Sequence, residues 1–164
     1  EILAAVLERI SEQAIVTGFK NVVLMGDHGG GQPNVYKDVA EKLDAKYAAQ
    51  GIHVFYCDDV YAKANDDFAA WFKAEGYPTG LHGALPDTSE MLFLGDGTWV
   101  RKDLIKTAVG DPGPGEETDP KAPRVNNGIV GDGRRSSAEL GERLFNMKVD
   151  YAVKQIRAFT GSGS

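Results

Sequence analysis

Two short apolar runs separated by a segment of helical period constrain this chain more than any other feature. The runs are KNVVLM (residues 20–25) and IHVFYC (residues 52–57). Each is strand-length and bounded by turn residues. Between them Val35, Val39, Leu43 and Tyr47 recur at a spacing of four and fall on one helix face, Pro33 suits the first turn of that helix, and Gly51 ends it. Two strands joined through a helix pair in parallel, because a hairpin is ruled out and the crossover packs on the sheet. The chain is therefore expected to be α/β, layered, with a largely parallel sheet.

The remaining pattern fits that class. An opening helix shows Leu3, Leu7, Ile10 and Ala14 as one stripe and closes at Gly18. It starts at Glu1 without a methionine or N-cap, so a preceding segment is expected to have been removed. Residues 66–75 read as a short helix with Phe68, Trp71 and Phe72 inward. A helix from Thr88 to Leu94 follows, with Asp87 and Glu90 as a capping box. Residues 110–124, GDPGPGEETDPKAPR, are dense in proline, glycine and acids and are expected to form an exposed loop or flap. The last helix starts near Ser136, with Glu139 as the partner in its capping box. It carries Leu140, Leu144, Met147 and Tyr151 to about Phe159. One domain over 1–160 and a flexible tail over 161–164 are expected, with no internal repeat.

Charge and composition remove several functions. The net charge is −6 and no basic run exceeds Arg134–Arg135, which argues against nucleic acid. No apolar segment has the length of a membrane span. The single cysteine, Cys57, excludes an intrachain disulfide and a cysteine-rich zinc site, and core packing is its expected role. His53 alternates with apolar neighbours in the second strand and is expected in the core. Trp71 is expected there too, while Trp99, in GDGTWVR, has a better claim to a flap.

The first strand runs into NVVLMGDHGGGQPN, residues 21–34. Ligands of open α/β sheets bind beyond the carboxyl ends of the strands, which is where His28 and Gly29–Gly31 fall. Three readings stand for this loop: a phosphate cradle, a metal site, or a turn. The phosphate reading lacks G-x-G-x-x-G and the Lys-Ser/Thr of a Walker loop. The metal reading takes His28 as a ligand and needs partners. A second segment, LHGALPDTSEML (residues 81–92), offers His82 and Asp87, five residues apart across Gly83 and Pro86. That spacing matches no general zinc signature, and Asp87 is equally a helix cap.

Three segments in order, GFKNVVLMGDHGGGQPN, LHGALPDTSEML and VNNGIVGDGRRSSAELGERLF, closely resemble the creatininase family of metal-dependent amidohydrolases. The usual family forms are GF-basic-N-apolar-NGHGGN, HAG-x-x-E-T-S and G-V-V-G-D-x-x-x-A-(S/T)-x-E-x-G. The resemblance spans nearly the whole chain. It implies a three-layer α/β/α sandwich and hydrolysis of a small, commonly cyclic amide by a metal-activated water. His28 and Asp87 would be metal ligands, and His82 would transfer a proton. Gly29, Gly30 and Gly31 would leave room for substrate and offer it backbone N–H groups. The cofactors would be two divalent ions, zinc or manganese. A homo-oligomer such as a hexamer is also implied, in the cytoplasm by family default, whereas relatives with Gly-Asp-His look exported.

The sequence departs from the family forms at several points. Asp87 stands where glutamate is commoner, Gly31 where asparagine is usual, and Gly83–Ala84 inverts Ala-Gly. The family's other ligands, a Glu-x-His and a bridging aspartate, precede these motifs, and nothing before Gly18 resembles them. The chain is thus expected to correspond to the C-terminal portion of a family member. Asp27, Asp58 and Asp59 are candidates to supplement the ligand set, although Asp58–Asp59 reads equally well as a solvated turn. A catalytically silent ligand-binding relative is the second reading of the whole chain.

Overall fold

A computed structural model describes residues 1–78, 80–113, 121 and 123–161. Most of the expected 110–124 loop (residues 114–120 and 122) and the end of the tail (162–164) lie outside the described residues. No described helix is long and apolar enough to cross a membrane. The chain divides into two compact units, Glu1–Ala64 with Lys148–Ser164, and Asn65–Met147.

The first unit holds α1 (Ile2–Val16), β1 (Asn21–Leu24), α2 (Gln32–Tyr47), β2 (His53–Tyr56), the start of α3 (Ala62–Ala74) and the greater part of α5 (Ala138–Thr160). β1 and β2 pair in parallel, Asn21 opposite His53 and Leu24 opposite Tyr56, as the strand–helix–strand pattern requires. Alternation then sorts the side chains. Val22, Leu24, Val54 and Tyr56 face α1 and α2, where Leu24, Val39, Ala40, Leu43 and Val54 form a buried cluster with Val35 and Tyr47 beside it. On the other face Phe55 stacks on Phe159 of α5, and Cys57, fully buried, has its thiol against the Ala152 carbonyl. Burial pushes the Cys57 thiol above the ordinary thiol range, which fits its expected role as core. These are three layers, helix, sheet and helix.

Two expectations change here. The expected stripe of α1 holds at Leu7 and Ala14, both half-buried, but not at Leu3 and Ile10, which are exposed; Ala4, Ser11 and Ile15 pack inward with Leu7. Two ion pairs accompany this face: Glu8 takes Lys42 at 2.8 Å and Glu12 takes Lys46 at 2.7 Å, between α1 and α2. Ile2, Val6 and Ile10 are left exposed. His53 is not a core residue. Its ring is about half exposed, with Nδ1 3.1 Å from Asp44 Oδ1, because the face it occupies is covered only in part.

The second unit holds most of α3, β3 (Gly80–His82), α4 (Leu85–Phe93), β4 (Val130–Gly131) and the start of α5, with 3-10 turns at Leu94–Gly97 and Lys102–Thr107. β3 and β4 pair antiparallel, a short departure from the parallel pattern of the first unit. Phe68, Phe72, Leu85, Leu140 and Leu144 form its core, with Trp71, Tyr77 and Met147 packed against them. The inward placement of Phe68, Trp71 and Phe72 is as expected, although α3 begins at Ala62, four residues earlier than its apolar spacing suggests.

Helix starts also differ. α4 begins at Leu85, with Ala84 at the N-cap and Pro86 in the first turn, so Asp87 sits inside the helix and not at its cap. In α5 the Ser137 hydroxyl accepts the Leu140 N–H at 3.3 Å, while Ser136 donates to the Gly133 carbonyl. The cap is thus Ser137, one residue beyond the expected Ser136, and hydrogen bonding holds the Glu139 carboxyl below its usual range.

Candidate active site

β1 delivers the first motif. The chain leaves Leu24 and crosses Gly26, Asp27, His28 and the three glycines before α2 opens at Gln32 with Gly31 as N-cap and Pro33 in the first turn. His28 is exposed and makes no hydrogen bond among the described residues. A Cβ on Gly29 would lie 2.6 Å from Tyr61 Oη, the far end of a side chain that can shift, so glycine gives clearance here without being obligatory. Gly30 is required by backbone conformation, at φ +61°, where side chains other than glycine are strained. Gly31 has open space around the position a Cβ would take.

Asp27, next to His28, is not a free ligand. Lys148 of α5, nearly buried, places its ammonium 2.7 Å from Asp27 Oδ2. The sequence carried a signal for this contact. Leu140, Leu144, Lys148 and Ala152 follow one another at intervals of four, so a lysine lies on the buried stripe of α5 and needs a carboxylate. The Asp58 carboxylate is also committed, whereas Asp59 bonds through its backbone. Asp58 accepts a hydrogen bond from Gln155 Nε2 and its carbonyl receives Tyr61 and Ala62 N–H at the start of α3, while Asp59 N–H donates to Gln155 Oε1 at 3.0 Å. They form a bonded turn, in line with the plainer of their two readings.

In the second unit β3 ends at His82, which is exposed and lies opposite Val130 of β4. Gly83, at φ +59°, turns the chain into α4. Asp87 then reaches back from the first turn, and its Oδ2 accepts the Gly83 N–H at 2.6 Å while Thr88 Oγ1 donates to the Gly83 carbonyl at 3.1 Å. These bonds fix the His82–Asp87 segment as one rigid turn, leaving Asp87 Oδ1 without a partner among the described residues. The structure thus groups His28 with Gly29–Gly31 in one unit, and His82 with Asp87 in the other.

The third motif supports that turn. Asp132 accepts the Arg134 N–H at 2.9 Å and its guanidinium at 2.6 Å, and this hydrogen bonding holds its carboxyl below the usual aspartate range. Gly141, the last glycine of the motif, lies where α5 meets the backbone of α4: a Cβ there would be 1.9 Å from the Ser89 carbonyl oxygen. Trp99, the candidate flap residue, is 72% exposed. Arg143 lies over the ring of Trp71, 4.0 Å from its centroid.

A metal ion needs about three converging protein ligands for a catalytic centre. Among the described residues no group of three His, Cys, Asp or Glu side chains could hold one.

A family model described as Creatininase: Creatinine amidohydrolase matches residues 1–156. Among solved structures, a mutant creatininase superimposes with a TM-score of 0.63 at 20% identity, covering 96% of this chain. The chain spans 63% of the length of that structure. No curated protein matches the chain. The three-layer core around a parallel strand pair agrees with that fold, and with the family model matched over nearly its whole length, the chain belongs to the creatininase family.

Proposed function

We propose that this chain serves in the hydrolysis of an amide C–N bond of a small, cyclic substrate, with His28 and Asp87 as metal ligands, His82 as proton donor and Gly29–Gly31 at the substrate. The observation that carries the reading is the family match over residues 1–156, within which the first two motifs fall at element ends that present exposed His28, His82 and Asp87. His82 has the chemistry for delivering a proton to a departing nitrogen, since imidazole titrates near neutrality. The glycine loop presents backbone N–H groups with little side-chain obstruction, as an oxyanion-binding role demands.

Divalent zinc or manganese, two ions, is part of the reading, and such ions lower the pKa of bound water and polarise a carbonyl. The two assigned ligands fall short of the number a catalytic ion takes, so the role of the metal rests on ligands beyond those that the described residues bring together. The same observation favours a second reading, a relative that binds a small amide without turning it over. The hydrogen bond from Gly83 N–H to Asp87 Oδ2 also fits a purely structural aspartate.

Incubation with creatinine and other small cyclic amides, with added zinc or manganese, separates the two. Hydrolysis predicts a product heavier by one water, abolished by a chelator and by His28→Ala. Saturable binding with no mass gain assigns the silent relative. Self-association belongs to this proposal, supported by the exposed apolar residues Ile2, Val6 and Ile10 of α1. Light scattering that returns the monomer mass at all concentrations would refute it.

A further inference from the structure

Among the described residues β2 has one edge on β1 and one that is open. His53 and Cys57 donate their N–H groups to the Lys20 and Leu24 carbonyls of the β1 side, each at 2.8 Å. Alternation therefore turns the backbone groups of Val54 and Tyr56 away from β1. Val54 N–H is taken by Asp44 Oδ1 at 3.0 Å. Val54 C=O, Tyr56 N–H and Tyr56 C=O meet no hydrogen-bonding partner among the described residues.

This edge is the floor of an open slot of about 480 Å³ between α2 on one face of the sheet and the end of α5 on the other. The Phe55 and Phe159 rings, stacked at 4.8 Å, wall one side. Glu41, Asp44 and Asp58 bring three carboxylates to the lining against one ammonium, Lys37, which itself lies 3.9 Å from Glu41. Unsatisfied strand-edge groups, aromatic walls and an excess of negative charge describe a surface for an extended, basic segment.

We propose that the outer edge of β2 is a docking surface for an extended segment of a partner protein carrying alternating basic and apolar side chains, which adds as a third strand. Asp44, by occupying Val54 N–H, sets where the new pairing starts: at Val54 C=O, continuing to Tyr56 N–H and C=O. Basic side chains of the added strand meet Glu41 and Asp58, and its apolar side chains meet Phe55 and Phe159. A second copy of this chain is disfavoured on the same edge, because two such slots would set carboxylates against carboxylates. This role is separate from amide hydrolysis and does not rest on it.

The probe is an acetylated, amidated Val-Arg-Val-Arg-Val peptide, with Val-Glu-Val-Glu-Val as its control, read by NMR amide exchange. The arginine peptide is expected to slow exchange at Tyr56 and leave Phe55, already paired to β1, unchanged. The glutamate peptide is expected to give no slowing. In the double variant Glu41→Gln, Asp58→Asn, which keeps both side-chain shapes and the hydrogen bond from Gln155, the arginine peptide should bind about fivefold more weakly. The proposal is overturned by no slowing at Tyr56, by equal slowing with both peptides, or by full affinity in the double variant. It is also overturned by slowing that follows protein concentration without peptide, which would give the edge to a second copy.

Discussion

Gly141→Ala should destabilise the protein although every helix scale favours the change. Gly141 lies in the first turn of α5, and replacing a helical glycine by alanine gains about 1 kcal/mol from propensity alone. The structure opposes that gain. The added Cβ would sit 1.9 Å from Ser89 O, 2.4 Å from Ser89 C and 2.9 Å from Glu90 N. All three are backbone atoms of α4, so no side-chain rotation relieves the contact, and the helices must part by more than 1 Å to restore ordinary van der Waals distance. Overpacking of this kind costs about 1–3 kcal/mol, and a rigid backbone neighbour places it at the upper end. Subtracting the propensity gain leaves a net loss of about 2 kcal/mol. With a urea slope of about 2 kcal/mol per molar, the midpoint should fall by roughly 1 M with the slope unchanged. A midpoint at or above that of the wild type would refute the close helix contact, and with it the explanation of the final glycine in the third motif.

Other substitutions follow from the same reading. Ser11 is buried with no partner for its hydroxyl among the described residues, so Ser11→Ala should raise stability by about 1 kcal/mol in the same urea assay. Asp27→Asn removes one carboxylate from the surroundings of a nearly buried Lys148 and should lower stability by about 1 kcal/mol, with faster amide exchange across residues 26–31. Asp132 predicts the direction of an acid effect. Its carboxyl titrates lower in the folded chain than in the unfolded one, so its contribution to stability is complete above the unfolded pKa and is lost as pH falls through the folded pKa. An acid titration should therefore show less loss of stability in Asp132→Asn than in the wild type, and identical acid profiles would contradict this.

The sequence made the first unit legible because period and punctuation agree there. The alternation in KNVVLM and IHVFYC, Pro33 and Gly51 all point to one strand–helix–strand unit, and β1, α2 and β2 follow it. The α1 face was misplaced because apolar residues lie all round that helix: Ile2, Val6 and Ile10 stay exposed while Ala4, Leu7 and Ile15 pack on the core, so spacing alone does not choose the face. α4 escaped its expected cap because Pro86 fits a first helical turn as well as a loop, so the helix began ahead of Asp87.

The site was legible only in outline. Motif order placed His28, His82 and Asp87 at element ends, yet the roles of their neighbours depended on contacts distant in sequence. Asp27 looks like a spare ligand until Lys148, more than a hundred residues later, is seen to hold it. Gly29 looks like general clearance, and the atom it clears is the Tyr61 hydroxyl, thirty-two residues on in the sequence. Asp87 has a pattern suited to capping and to metal binding alike, and the structure shows it bonded to Gly83 N–H with its second oxygen open.

The most direct test of the central claim is the thermal shift on adding zinc or manganese to the wild type, to His28→Ala and to Asp87→Ala. Binding to the folded state alone raises the melting temperature with ion concentration. The account predicts a rise in the wild type that each single substitution removes. No rise in the wild type, or a rise that survives both substitutions, would contradict the assignment of His28 and Asp87 as metal ligands.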